Sequence, residues 1–291
     1  MKLLTRRSSV TTKRKKEAAQ PEQNEVEQLE QDEETKGVNP FESGLIQTIN
    51  FFTGIKGGVG KSTCCRIGYQ YHLDHNLPVV GIEGNPRNPD FSKFYPEIKE
   101  AGNIVKFTSD PDDIANVNLI LKVANKERKN LVVNMPADCE EEFSLWLESF
   151  SVIEVAEKIN YKLINWFVTS GEPDSVESLK LSLKKFGFGI LHVVVQNKKF
   201  RDWSYFEADK ELKELLEHYN PAVISIPGLN TLVTGTILNK RLSYGAAREY
   251  LDENFDIAEQ GAVASFLNQS YRAIEQTPFF PVEKQAGPPN D

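Results

Sequence analysis

A glycine-rich stretch, GIKGGVGKST from Gly54 to Thr63, decides the fold of this chain. The apolar run LIQTINFFT precedes it, and the helical pattern KSTCCRIGYQYHLDHN begins at its last lysine. Glycines let backbone N–H groups converge on phosphate oxygens, where side chains would obstruct them. A helix N-terminus adds partial positive charge at the same point. Strand, loop and helix in this order therefore predict a phosphate-binding loop.

The register of the glycines distinguishes this loop from the common one. The general pattern G-x-x-x-x-G-K-[ST] requires glycine where this chain has Ile55, and Gly54 lies one place early. The sequence instead fits K-G-G-x-G-K-[ST]. Lys61 is placed to reach the terminal phosphates, and the Ser62 hydroxyl is placed to bind magnesium. The predicted cofactor-binding loop residues are Gly57, Gly58, Val59, Gly60, Lys61, Ser62 and Thr63.

The motif KGGVGKS resembles the deviant Walker A motif of the ParA/MinD family of P-loop ATPases. The resemblance implies a mostly parallel β-sheet flanked by helices on both faces, with ATP and Mg2+ as cofactors. It also implies a homodimer that forms on ATP. The family's second lysine reaches the partner's nucleotide, and Lys56 matches it here; the alternative is a solvated loop lysine.

The resemblance extends from about residue 46 to about residue 276. Glu83 and Asn85 stand where the family has two acidic residues at the end of the next strand. Asn134 stands where the family has the Walker B aspartate. Asn197 and Pro227 match the family's contacts to the base, or are ordinary turn residues.

Two of the three expected acids are therefore asparagines. An amide carries no charge for the metal and takes no proton near neutral pH. By resemblance, Lys56, Glu83 and Asn85 occupy catalytic positions, and Ser62, Glu83 and Asn134 occupy metal positions. We expect ATP binding to persist and hydrolysis to be slow or impaired.

Two aspartates near the affected positions are alternatives for the missing acids. Asp90, in NPRNPD, is otherwise a turn residue, and Asp138 is otherwise the cap of the helix that begins near Glu140. His72 and His75 are predicted to form a pair on the surface of the first helix. The three tryptophans, Trp146, Trp166 and Trp203, are predicted to pack in the core or an interface.

Short runs of Val, Ile and Leu alternate with helical patterns along the chain. Continuous apolar runs are typical of strands buried on both faces, and their alternation with helices indicates a parallel sheet. The predicted strands are 45–54, 78–84, 103–109, 130–136, 162–170, 188–197 and 221–228. The predicted helices are 61–76, 110–128, 140–159, 172–187 and 207–219, with further helix from about 231 to 276.

Composition sets the domain boundaries. Residues 1–44 are basic and then acidic and predict a disordered tail, 45–278 predict one P-loop ATPase-like domain, and 279–291 predict a C-terminal tail. The net charge of −8 excludes a surface that is basic all round. The basic block is compatible with contact to DNA or an acidic partner, and equally with a solvated tail that its acidic half neutralises.

The chain is expected to be cytoplasmic, since it has neither a membrane-length apolar run nor a disulfide spacing among its three cysteines. The favoured function is an ATP-driven switch in partition, positioning or maintenance of DNA or another cargo, such as plasmid partition. The alternative is a non-catalytic nucleotide-binding adaptor, for example in plasmid maintenance or conjugal transfer. Another P-loop enzyme, such as a kinase or synthetase, is a third interpretation.

Overall fold

The computed structural model describes residues 47–54, 57–187 and 189–279. Its centre is a six-stranded, wholly parallel sheet with the strand order β2-β3-β1-β4-β5-β6. The predicted α/β class is confirmed. The strands are β1 Gln47–Thr53, β2 Val79–Glu83, β3 Asn130–Asn134, β4 Tyr161–Thr169, β5 Leu191–Asn197 and β6 Ala222–Ile226.

Helices follow the strands along the chain. The first is α1 Lys61–Asp74, which leaves the phosphate-binding loop, and the last is α11 Ile257–Ile274. A 3₁₀ helix at Ile114–Asn118 leads into α3. The others are α2 Glu97–Glu100, α3 Leu119–Glu127, α4 Glu140–Ser149, α5 Val152–Lys158, α6 Pro173–Phe186, α7 Ser204–Ala208, α8 Lys210–Tyr219, α9 Thr231–Lys240 and α10 Tyr244–Ala247.

The central strands β1, β3 and β4 are buried on both faces, and successive residues of each strand point to opposite faces of the sheet. Phe51 packs against Phe143 of α4, with ring centroids 4.8 Å apart. Phe52 points the other way and stacks on Trp166 at 5.5 Å. A side chain at Gly68 of α1 would collide with Phe52, so this glycine lets the helix lie close to the sheet. Helices therefore cover both faces.

All strands end at one edge of the sheet because they run in one direction. Phe52 near the end of β1 is opposite Asn134 of β3, and Asn134 is opposite Glu83 of β2. On the other side of β1, β5 ends at Asn197. The carboxyl edge of an open parallel sheet is where such folds bind ligands. The fold thus brings Glu83, Asn134 and Asn197 to the same edge of the sheet.

Two predicted elements differ from the structure. The predicted strand 103–109 is wrong: Ile104 forms a single bridge to Glu83, and the rest of the segment pairs with no strand of the described sheet. Since Glu83 is the last residue of β2, the segment has nothing more to pair with. The predicted helix 140–159 is two helices, because Ser151 between them adopts a left-handed φ of 46°.

The predicted surface position of His72 is also wrong. His72 is fully buried, with Nδ1 2.8 Å from the carbonyl of Gly68 and Nε2 3.4 Å from Asn130 Nδ2. His75, one turn on, is exposed. The three tryptophans are buried, as predicted. One histidine of the pair is therefore buried in the core, and only the other lies on the surface.

The predicted tail 1–44, its boundary with the domain, and residues 280–291 lie outside the described residues. Within the described ranges, no helix is long and apolar enough to cross a membrane. Cys64, Cys65 and Cys139 are buried free thiols. No group of His, Cys, Asp and Glu in the same ranges is arranged to hold a metal ion by itself.

Two buried histidines predict a loss of stability in mild acid. Burial lowers the pKa of His72 and of His192 to about 4, from an ordinary 6.5. The unfolded chain therefore binds protons before the folded chain does, and stability is lost as the pH falls from about 6.5 towards about 4. At about pH 5 we expect a loss of about 2 kcal/mol for each histidine.

His192→Phe tests this loss, because His192 Nε2 has no hydrogen-bond partner in the described ranges. Urea unfolding at about pH 7.5 and about pH 5 should show a smaller acid loss in the variant, by about 2 kcal/mol. The exposed His218 of α8 supplies the matched control, His218→Gln. An acid loss in His192→Phe equal to that of the unchanged protein would contradict the prediction.

Candidate nucleotide-binding site

The phosphate-binding loop is held open by its glycines. Gly58 and Gly60 have positive φ values of 84° and 106°, which glycine adopts at low cost. A Cβ on Gly57 or Gly58 would meet no atom within 4 Å, so this side of the loop faces free space. At Gly60 a Cβ would lie 2.4 Å from Asn197 Nδ2. The loop therefore has room for a ligand on one side and a fixed support on the other.

Lys61 begins α1 at the foot of this loop. Its side chain is buried, which lowers the pKa of the ammonium, and Cys139 and Asp138 act in the opposite sense. An ammonium in such a position favours an anionic ligand. Ser62 follows it with a half-buried side chain. Lys56, the predicted contact across a dimer, lies outside the described residues.

Glu83 is the most heavily hydrogen-bonded acid at the site. Its Oε1 accepts from the backbone N–H of Asn85 at 3.0 Å and from Nδ2 of Asn134 at 2.9 Å. Its Oε2 accepts from the backbone N–H groups of Phe91 at 2.9 Å and Ser92 at 3.1 Å. A carboxylate has about four lone-pair positions, and four donors occupy them.

This arrangement gives Glu83 a structural task in the conformation described. The residue is 0% exposed, and its carboxylate holds the loop after β2 against the end of β3. Burial raises the pKa of Glu83, while the four donors act in the opposite sense. With every lone pair engaged, the carboxylate has none left for a metal ion or an attacking water. A role for Glu83 at magnesium remains a proposal that would require these bonds to rearrange.

The two asparagines differ in what they offer. Asn134 is fully buried and donates to Glu83, but its Oδ1 has no hydrogen-bond partner in the described part of the chain. Asn85 is partly exposed, and its Oδ1 accepts from the backbone N–H of Asn88 at 3.3 Å. A buried carbonyl oxygen without a donor costs free energy. Asn134 Oδ1 is therefore an acceptor available to a bound water.

These groups fit a magnesium ion that a nucleotide brings with it. Mg²⁺ keeps several waters and is commonly bound through few protein oxygens together with substrate phosphates. The Ser62 hydroxyl would bind the ion, and Asn134 Oδ1 would accept from one of its waters. The ion would supply charge neutralisation at the phosphates. Neither asparagine supplies the negative charge that an aspartate would.

The predicted base contacts lie in one cavity beside the loop. Asn197 and Pro227 line a cavity of about 80 Å³. Asn197 Nδ2 donates to the carbonyl of Val59 at 2.8 Å, and its Oδ1 accepts from the backbone N–H of Lys199 at 3.1 Å. Asn197 thus supports the loop in addition to facing the cavity. Gly58, Gly60, Thr63 and Arg66 line the same cavity.

The two alternative aspartates have different surroundings. Asp90 pairs with Lys93 and accepts from Asn88 Nδ2 at 2.7 Å, which agrees with its interpretation as a turn residue. Asp138 does not cap α4, so that prediction is wrong; Cys139 is the N-cap, without a side-chain cap bond. Asp138 is exposed in a left-handed conformation, φ 50°. It lines one cavity with Gly54 and another with Gly84 and Asn85.

Sequence reasoning missed one residue of this site, Arg66. It is 6% exposed and lines the same cavity as Asn197 and Thr63. The signal for it was present: a basic residue lies one helical turn beyond Ser62 in a helix otherwise rich in apolar and small residues. The ParA/MinD-type motif gave no reason to single it out.

The chain is 25% identical over 233 residues to protein MobD of Acidithiobacillus ferrooxidans, a match that covers 79% of this chain and 98% of MobD. No protein-family profile matches the chain.

Solved structures of similar architecture include MinD-type proteins. The cell division protein MinD of Aquifex aeolicus is 15% identical, with a TM-score of 0.47 over 80% of this chain and 98% of that one. The McdA–ATP complex of Cyanothece is 15% identical, with a TM-score of 0.46 over 83% and 99%. The fold itself rests on the strand order and connections described above.

Proposed function

We propose that this chain is an ATP-binding switch protein of the ParA/MinD type, in which nucleotide binding matters more than turnover. The observation that carries the proposal is the loop from Gly57 to Ser62. It faces open space, is braced by Asn197 and ends in the buried Lys61 at the start of α1. Backbone N–H groups, a helix N-terminus and a lysine together form a site for the phosphates of a nucleotide.

Slow hydrolysis follows from the acids around the loop. Glu83 has its four lone-pair positions filled by protein donors, and the other two family positions are the amides Asn85 and Asn134. A general base or water-orienting group contributes on the order of 10²–10⁴ in rate. The site therefore supports binding of ATP with Mg2+ better than it supports rapid cleavage.

In this proposal ATP closes two protomers into a homodimer, and Lys56 contacts the nucleotide of the partner. The dimer engages DNA non-specifically or a cargo or adaptor protein, in partition, positioning or plasmid maintenance. The second candidate is a non-catalytic adaptor that keeps ATP as a structural ligand. The second function is favoured if the Glu83 carboxylate keeps its four protein hydrogen bonds when ATP is bound.

Lys61→Ala tests the phosphate site. Loss of a charge-assisted contact to phosphate should weaken binding of a fluorescent ATP analogue by about tenfold to about a hundredfold. The fold should persist, because the change removes a buried charge. Lys162→Ala, at a partly exposed lysine on β4 paired with Glu157, is the matched control. Equal affinity in Lys61→Ala and the control would overturn the proposal.

Two further measurements separate the two functions. Sedimentation with and without ATP, on the full chain and on Lys56→Ala, reports whether ATP drives dimerisation through that lysine. Phosphate release, with and without DNA, reports turnover. An ATP-dependent dimer that Lys56→Ala abolishes supports the switch. Tight binding with neither dimer nor phosphate release supports the adaptor.

A further inference from the structure

Arg66 is a buried cation in the second turn of α1. It is 6% exposed, and its Nε donates to the carbonyl of Ser62 at 3.2 Å. The guanidinium carbon lies 4.0 Å from the ring centroid of Phe94 and 5.3 Å from that of Tyr244. These rings fix the plane of the guanidinium. Only one of its five N–H donors has a hydrogen-bonded partner among the described residues.

Among the described residues, no acid neutralises this charge. Within residues 47–54, 57–187 and 189–279, no carboxylate forms an ion pair with Arg66. The polar groups around it are neutral, since burial raises the pKa of Cys64 to about 12 and raises that of Tyr244. Glu83 is engaged with its own four donors. Charged side chains are almost never buried without a partner, because the desolvation is costly.

The free side of Arg66 meets the cavity beside the loop. Gly58, Gly60 and Thr63 of the loop line this cavity together with Arg66, Asn197 and Pro227. Arg66 lies beyond Lys61 along the helix. An anion in this cavity would meet the guanidinium and the loop together.

We propose that Arg66 is a second cationic contact for the phosphate chain of the nucleotide. This inference rests on the proposed function, since it assigns a further residue to the same site. Lys61 serves the terminal phosphates, whereas the planar fork of Arg66 offers paired N–H donors to one phosphate group. The bound phosphate would be the counter-ion that the described residues do not provide.

Arg66→Met is the principal test, because this change separates a ligand contact from a structural one. Removing an uncompensated buried charge should leave the urea unfolding midpoint without nucleotide unchanged or raise it. Affinity for fluorescent ADP and fluorescent GDP should fall by about tenfold for both, since both carry the same phosphates. Arg66→Lys, which keeps the charge and loses the fork, should fold and show a smaller loss.

Each outcome decides the inference. Unchanged affinity in both variants with a lowered midpoint means that Arg66 only anchors the aromatic rings, and overturns the proposal. A loss for one nucleotide and not the other means that Arg66 contacts the base, and overturns the phosphate assignment. If the unchanged protein binds neither nucleotide, the proposed function fails first. If it binds and Lys61→Ala weakens binding while both Arg66 variants do not, only this inference fails.

Discussion

Replacing Glu83 by alanine is expected to lower the free energy of unfolding by about 4–5 kcal/mol, the largest effect of any single change considered for this chain. The side chain is fully buried and accepts four hydrogen bonds, two of them from the buried backbone N–H groups of Phe91 and Ser92. Alanine would leave these donors unpaired. The segment that follows β2 would lose its attachment to the sheet.

Glu83→Gln is the finer probe, with an expected cost of about 2–3 kcal/mol. The amide nitrogen of the glutamine would point at a backbone N–H, either that of Asn85 or those of Phe91 and Ser92. Two donors cannot bond to each other, so the hydrogen bonds on that side of the carboxylate would be lost. Urea unfolding monitored by tryptophan fluorescence measures both variants. Glu100→Gln, at an exposed position of α2, is the matched control. A Glu83→Gln variant that unfolds at the same urea concentration as this control would refute the structural role.

Glu83 and Asn134 both differ from the residues of the ParA/MinD-type pattern, and the two residues contact each other. Asn134 Nδ2 donates to Glu83 Oε1 at 2.9 Å, deep in the protein. An aspartate at position 134 would present a second negative charge where Glu83 needs a donor. A buried glutamate at 83 and an amide at 134 therefore belong together. The amide at position 134 is therefore one of the groups that tie β2 to β3.

The sequence was sufficient for the fold class, although it also predicted a strand at 103–109 that does not form. Glycines at fixed spacing and apolar strands predicted the α/β class, which the strand order confirms. The placement of Asn197 beside the loop also follows from the order of strands. The local sequence is enough to predict strands and the glycine loop, because both depend on residues that are close together in the chain.

Other parts of the site depend on distant contacts that no local pattern encodes. The saturation of Glu83 comes from N–H groups eight and nine residues further along the chain. His72 is buried because β3 brings Asn130 to its side of α1. Arg66 has no carboxylate partner among the described residues, and only the packed structure shows this. Glutamate, histidine and arginine are all common on protein surfaces, so only tertiary contacts distinguish these three buried residues from surface ones.

Asn134→Asp restores the acid that the family pattern contains, yet we expect it to destabilise the protein and not to restore hydrolysis. Two carboxylates would lie about 3 Å apart in a buried site, where like charges cannot both ionise cheaply. The expected cost is about 3 kcal/mol at about pH 8. The pair would share a proton, so its folded-state pKa would be raised above the unfolded value.

The sign of this shift predicts a specific pH dependence. A carboxyl whose pKa is raised on folding favours the folded state at low pH; that contribution is complete below the unfolded value of about 4 and is lost as the pH rises from there through the raised folded-state pKa. Asn134→Asp should therefore be closest to the unchanged protein near pH 5 and furthest from it near pH 8. Asn268→Asp, at an exposed position on α11, should show no such divergence. A variant as stable as the control at pH 8, or one that gains phosphate release, would mean that Glu83 does not need a donor at position 134.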